Sequence, residues 1–303
     1  MSAELLAATA ACCFGGAHCA VKKGTGRAKK ETDGDSIIGG LMISLTTSVV
    51  VTGMACFLAD PTVTPLAGLL GFAIAGVVGP AMGRSAAMAG VDSLGASVSV
   101  PLQGSVYPIA GVLAAVLFLG ETVAPLHAIG AAIIVYGVWL LARRPEMDLG
   151  EGTTRPRRGA MPAAFFPLLA GISYGAGDVL RKQAVDVLPS PLFGAFVGMA
   201  SALFVWCVIV LSAQRVRRRI APIRRHHGWF VLAGALAATA VILTINALQG
   251  GEVSVVTPIV AAQPLPVLVF STVFLKQHET VDWRIVAGAC AVVGGTAIVS
   301  LAG

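Results

Sequence analysis

Long apolar segments recur along the whole chain and decide what it can fold into. About ten of them approach the roughly 20 residues that an α-helix needs to cross a bilayer. They do not alternate between apolar and polar at every second residue, as a membrane β-barrel would. In lipid a helix satisfies its own backbone hydrogen bonds, so we predict an all-α integral membrane protein with about ten transmembrane helices. The predicted spans are 3–21, 36–58, 65–90, 94–119, 123–142, 161–180, 190–213, 229–248, 252–275 and 283–302.

The low content of charged residues supports the same class. Only 12% of the 303 residues are charged and 56% are hydrophobic. A soluble domain carries about 25% charged residues. Water is therefore not the main solvent of this chain.

The sequence also contains an internal repeat. The stretch LGETVAPLHAIG (119–130) has a counterpart in HETVDWRIVAG (278–288), and the surrounding glycines and prolines keep one register. We interpret 1–142 as a first repeat (spans 1–5), 143–160 as a basic cytoplasmic linker, and 161–303 as a second repeat (spans 6–10). Each glutamate marks the corner before a fifth span, where a helix dipole would favour it. The pairs in register are Pro108 with Pro266, Glu121 with Glu279, Gly130 with Gly288, and Gly137 with Gly295.

The distribution of positive charge predicts how the repeats are oriented. Most of the 21 Lys and Arg residues fall in loops that follow odd-numbered spans, including RVRRRIAPIRRHH (215–227). Positive loops stay in the cytoplasm, so both termini are expected outside it. Because each half has an odd number of spans, the second half must enter the membrane from the opposite side. We therefore predict two inverted five-helix repeats, the architecture of many secondary transporters.

Two segments of the chain resemble a known protein family. The segments ASVSVPLQGSVYPIAGVLAAVLFLGETVAPLHAIGAAIIVYGVWLLA (96–142) and SVVTPIVAAQPLPVLVFSTVFLKQHETVDWRIVAGACAVVGGTAIVSLA (254–302) resemble the EamA type of the drug/metabolite transporter superfamily. The second copy departs from the pattern, since Lys276, Gln277 and His278 replace Phe118, Leu119 and Gly120. The resemblance implies ten spans and a secondary carrier, often an exporter. It implies no universal binding motif.

Motifs for other chemistry are missing from the sequence. No P-loop, HExxH or GxSxG pattern occurs, and the six cysteines lie inside apolar runs without metal-ligand spacing. We therefore expect no enzyme activity, no cofactor and no metal.

Polar residues inside predicted spans are the candidates for a substrate pathway, because such residues are costly in a membrane. Arg84 in span 3 could hold an anionic group, or its side chain could instead reach the membrane surface. Pro101, Pro108, Pro258 and Pro266 should break or kink spans 4 and 9, and broken helices at matching positions mark binding sites. The cavity is thus expected where spans 4 and 9 face spans 1, 3, 6 and 8. The predicted pathway residues are Arg84, Gln103, Tyr107, Asn246, Gln249 and Gln263.

Two titratable residues occupy matching positions of the repeats. His18 aligns with Asp178 when Phe14 is set against Tyr174, and the pair could couple protons to transport. The alternative is structural: Asp178 shares a helix face with Arg181 and Lys182, which would neutralise it locally.

Together these features predict a secondary transporter that moves a small polar or amphipathic metabolite or drug by alternating access. Export across the plasma (inner) membrane, with proton coupling, is the favoured form. The expected partners are a small-molecule substrate and membrane lipids, with no nucleic acid, and two complete halves favour a monomer. The alternatives are a membrane-embedded enzyme or lipid-handling protein, and an accessory membrane subunit.

Overall fold

A computed structural model describes residues 2–31, 36–58, 66–94, 96–142, 164–188, 190–214, 227–275 and 283–302. Its elements in those ranges are helices, which confirms the predicted all-α class. The predicted linker 143–160, the basic run 215–226 and Glu279 lie outside the described residues. The helices are α1 (Ala3–Glu31), α2 (Ser36–Leu58), α3 (Leu66–Gly76), a π-helical segment (Val77–Gly83), α4 (Arg84–Leu94), α5 (Ala96–Leu119), α6 (Pro125–Ala142), α7 (Phe165–Val187), α8 (Pro191–Ser212), α9 (His227–Gly250), α10 (Val253–Ala261), α11 (Pro264–Leu275) and α12 (Trp283–Ala302).

These helices follow the predicted spans. Within the described ranges, 6 segments are long and apolar enough to cross a membrane, and shorter apolar helices cover Pro125–Leu140, Val253–Val267 and Cys290–Val299. Helix α1 continues to Glu31, beyond the predicted end of span 1 at residue 21. Basic residues that were expected in the first loop therefore lie on a helical extension.

The interruptions of the helices differ in part from the prediction. Span 9 does break, between α10 and α11. Its prolines at 264 and 266 both lack an N–H, so two backbone donors are missing on either side of Leu265. Span 4 has Val106 where the repeat register places Pro264, and α5 runs unbroken past Pro101 and Pro108. The irregularity that the sequence analysis missed is in span 3, where a π-helical segment contains Pro80.

The contact between α6 and α12 shows that the two repeats are inverted. A Cβ atom placed on Gly137 would lie 2.8 Å from the carbonyl oxygen of Gly288. One placed on Gly130 would lie 3.0 Å from the carbonyl oxygen of Gly295. Residue numbers rise along α6 while they fall along α12, so these corresponding helices are antiparallel. The four glycines that are in register in the sequence thus form one helix–helix contact.

The turn after α5, at residues 119–121, contacts the other repeat and not the adjacent helix. Gly120 adopts a φ of 68°, which glycine takes without strain, and ends α5. The Glu121 carboxylate then accepts hydrogen bonds from the backbone N–H groups of Val253 and Ser254, each at 2.9 Å. Glu121 therefore stabilises the N-terminus of α10 in the other repeat, and not the start of its own α6 as predicted.

We expect Glu121→Ala to lower the free energy of unfolding by about 1–2 kcal/mol, the usual cost of losing an N-terminal cap. Glu252→Ala is the matched control. Glu252 is exposed beside the same helix end, and its carboxylate accepts a hydrogen bond from the Ser254 hydroxyl at 3.3 Å. Denaturant titration of both variants in detergent micelles measures the difference. Equal stability of the two variants would contradict the role given to Glu121.

Candidate functional site: a cavity between the repeats

A cavity of about 60 Å³ lies in the middle of the helix bundle, with room for several water molecules. Both repeats contribute to its wall, through α1, α2, α4, α5, α7, α9 and the junction between α10 and α11. This is the place predicted from the sequence, with α2 as an additional wall. Its polar and aromatic lining consists of Phe14, His18, Ser44, Arg84, Tyr107, Tyr174, Arg181 and Gln263.

Arg84 enters the cavity at the start of α4, directly after the π-helical segment. Its Nη1 atom donates to the hydroxyls of Ser44 at 3.4 Å and Ser48 at 3.3 Å. Both serines are buried on α2. Among the residues that the structure describes, no carboxylate lies within ion-pair distance of Arg84.

Arg181 is the second guanidinium in the wall, and it is neutralised. Its Nη1 atom lies 2.6 Å from Oδ1 of Asp178, one turn earlier on α7. The Asp178 carboxylate also accepts hydrogen bonds from the hydroxyls of Tyr107 on α5 and Thr257 on α10. Asp178 is fully buried behind the cavity wall, so this cluster joins three helices and has no net charge.

Lys182, the other cation of this region, points away from the cavity. Its Nζ atom lies 3.0 Å from the Asp186 carboxylate and donates to the carbonyl oxygen of Leu248 at 3.1 Å. Leu248 lies in the last turn of α9, where the helix dipole favours a positive charge. These contacts explain why Arg181 and Lys182 depart from the predicted distribution of positive loops.

The break in span 9 places a glutamine at the cavity. Gln263 lies between α10 and α11, and its Oε1 atom is 3.0 Å from Nε2 of His18. His18 and Asp178, which align in the repeats, thus each bind a residue of the opposite half: Gln263 in span 9 and Tyr107 in span 4. Both contacts join the two repeats.

The structure separates the predicted pathway residues into two groups. Arg84, Tyr107 and Gln263 line the cavity together with His18, whereas Gln103, Asn246 and Gln249 are not in its lining. Gln103 is buried in α5, and its Oε1 atom has no hydrogen-bond partner in the described ranges. Asn246 donates to the carbonyl oxygen of Ile242 on its own helix, and Gln249 is exposed near the end of α9.

Two groups of the site were not predicted from the sequence. Tyr174 served only to align the repeats, whereas the ion pair between Arg181 and Asp178 was expected as the structural alternative and is present at 2.6 Å. The α2 serines had a weak signal, since Ser44 and Ser48 are spaced to share one helix face. Nothing in the sequence indicated that this face meets Arg84.

Comparison with known proteins agrees with this architecture. A model of the EamA-like transporter family matches residues 1–143 and 161–301, which confirms the resemblance seen in the sequence. A solved structure, described only as a crystal structure of a protein, has a TM-score of 0.73 with 16% identity, and the match covers 99% of this chain and 96% of that chain. That likeness shows the fold alone, and no curated protein matches the chain. Because the family model covers both repeats, the chain belongs to the EamA-like transporter family and is a multi-pass membrane transporter.

Proposed function

We propose that this transporter is a secondary exporter, which moves a small polar or amphipathic metabolite or drug by alternating access through the central cavity. The observation that carries the proposal is the cavity at the interface between the repeats, whose largely apolar wall contains Arg84, Tyr107 and Gln263. In carriers built from inverted repeats, the substrate binds at this interface near the middle of the membrane, and one repeat rocks against the other.

The free-energy cost of placing polar groups in the cavity wall supports a role in transport. Charged and hydrogen-bonding groups inside a membrane are expensive and usually mark a pathway. A purely structural bundle could have packed the cavity with apolar side chains. We place Arg84, Tyr107 and Gln263 at the substrate, and we assign Gln103, Asn246 and Gln249 to the route outside the cavity.

His18 and Asp178 are the proposed groups for coupling to protons, and the contacts favour His18. Its imidazole lines the cavity, and its hydrogen-bond partner, Gln263, is a neutral amide. Asp178 is held by Arg181, Tyr107 and Thr257 behind the wall, so a change in its charge would disturb three helices.

We further propose that the protein acts as a monomer in the plasma (inner) membrane with both termini outside the cytoplasm. One chain supplies both walls of the cavity. The orientation rests on the Lys and Arg distribution in the sequence. Reporter fusions after Gly303 test it: a reporter active only outside the cytoplasm should work, and activity of a cytoplasmic reporter alone would reverse the orientation.

Counterflow in proteoliposomes tests transport itself. The purified protein is first screened by thermal shift against amino acids, nucleobases, polyamines, sugars and cationic drugs, because a ligand of the folded state raises the melting temperature. Each hit is then loaded inside liposomes, and uptake of its labelled form is followed. We expect uptake that requires both the protein and the internal substrate. A hit that is chemically converted would indicate an enzyme, and a hit that binds but never crosses would indicate an accessory subunit.

A further inference from the structure

The charge of the cavity wall is not balanced. Two guanidiniums line the cavity, and Asp178 neutralises that of Arg181. Arg84 has two serine hydroxyls but no carboxylate partner among the described residues. The described cavity therefore carries one uncompensated positive charge inside an apolar bundle, where such a charge is costly.

The unused donors of Arg84 indicate the shape of the missing partner. A guanidinium has five N–H donors arranged as a planar fork. Both hydrogen bonds to serine come from Nη1, and both are long, at 3.4 and 3.3 Å. Nη2 and Nε have no hydrogen-bond partner in the described part of the chain. A carboxylate is the group whose two oxygens match such a fork.

The rest of the wall favours an apolar body beside that charge. Phe14 and Tyr174 present aromatic rings, and Met88 and Val241 present aliphatic surface. Tyr174 stands edge-on to Tyr107, with ring centroids 6.1 Å apart. Among the described lining residues there is no carboxylate, so that part of the wall offers no negative charge to balance a cationic substrate.

We infer that the substrate is a soluble carboxylate with an apolar body, and that the Arg84 guanidinium binds its carboxylate group. This inference rests on the proposed transport function. The inference defines the substrate class by its negative charge, and Arg84 is the residue that selects for that charge. Lysine cannot replace Arg84 fully, because an ammonium group does not offer two parallel N–H donors.

A matched set of probes tests the charge preference. 3-Phenylpropionate, 3-phenylpropanamide and 3-phenylpropylamine share one body and carry negative, zero and positive charge. Calorimetric titration of the purified full-length protein in neutral detergent measures their affinities. We expect the carboxylate to bind roughly tenfold to a hundredfold more tightly than the amide, the value of a charge-assisted hydrogen bond converted to affinity. The amine should bind more weakly still.

Variants locate the site of that preference. Arg84→Gln should abolish the difference between carboxylate and amide, and Arg84→Lys should restore part of it. Lys182→Gln is the control, since it removes a cation one residue after Arg181 that does not line the cavity. It should leave all three affinities unchanged. Thermal unfolding of each variant shows that it is folded.

Three results of the probe titrations would overturn the inference. They are equal or tighter binding of the amine, a carboxylate preference that survives in Arg84→Gln, and no binding of any probe at millimolar concentration. Displacement of 3-phenylpropionate by added phosphatidylglycerol would assign the site to a lipid headgroup, and would also contradict a soluble substrate. Counterflow of a cationic or neutral compound would support the transport function, but it would contradict a carboxylate substrate.

Discussion

Replacing Arg181 with methionine should lower the free energy of unfolding by about 3–5 kcal/mol, because it leaves the buried Asp178 carboxylate without its counter-charge. The pair is 2.6 Å apart, with side chains 6% and 0% exposed. Denaturant titration in mixed micelles, followed by tryptophan fluorescence, measures the loss.

Two further variants separate this effect from general damage to α7. Lys182→Gln breaks an adjacent ion pair whose Asp186 side chain is 50% exposed, and such pairs contribute about 0–1 kcal/mol. The double variant Asp178→Asn/Arg181→Met removes both charges and should recover much of the loss. The single variant Asp178→Asn completes the cycle. If the losses of Arg181→Met and Asp178→Asn simply added in the double variant, the pair would not be coupled and the account of the cluster would be wrong.

The substitution Gly295→Val should lower the free energy of unfolding by about 3 kcal/mol or more, which is the upper end of the usual cost of adding side-chain volume to a packed core. A Cβ atom there would lie 2.7 Å from the carbonyl oxygen of Gly130 and 2.8 Å from Cγ1 of Ile134. The carbonyl belongs to the backbone of α6 and cannot rotate away. The two helices would have to separate along the contact that joins the two repeats.

Gly294→Val is a matched control on the same helix. A Cβ atom on Gly294 meets nothing within 4 Å, so this substitution adds the same side chain without a clash. Melting temperatures of the two variants in detergent should differ by several degrees. Equal melting temperatures would contradict the close approach of α6 and α12.

The sequence predicts the fold well because its strongest signals are local or repeated. Apolar length indicates the spans, and the register of Gly130 with Gly288 and Gly137 with Gly295 indicates the duplication. The breaks were harder to predict. Proline content favours kinks in both spans 4 and 9, yet only span 9 has two prolines, at 264 and 266, that remove two donors within three residues. Pro80 is also a proline inside a predicted span, but the π-helical segment around it was not predicted.

The site is less predictable because its contacts join distant parts of the chain. Membrane helices are apolar on all sides, so their sequence does not show which face meets the cavity. Arg84, Tyr107 and Gln263 were found because polar residues stand out in apolar spans. That Glu121 binds the N-terminus of α10, or that Tyr107 and Thr257 join Asp178 from other helices, is a matter of tertiary packing.

The central claim is that the cavity opens to each side of the membrane in turn, and cysteine accessibility tests it without a known substrate. The six native cysteines are free and can be replaced before Ala87→Cys is introduced in the cavity wall. A membrane-impermeant sulfonatoethyl thiosulfonate is then applied to one side of oriented vesicles at a time. Ala132→Cys, on the exposed apolar face of α6, is the control that should stay unlabelled. Alternating access predicts labelling of Ala87→Cys from both sides, and labelling from one side only, or from neither, would contradict it.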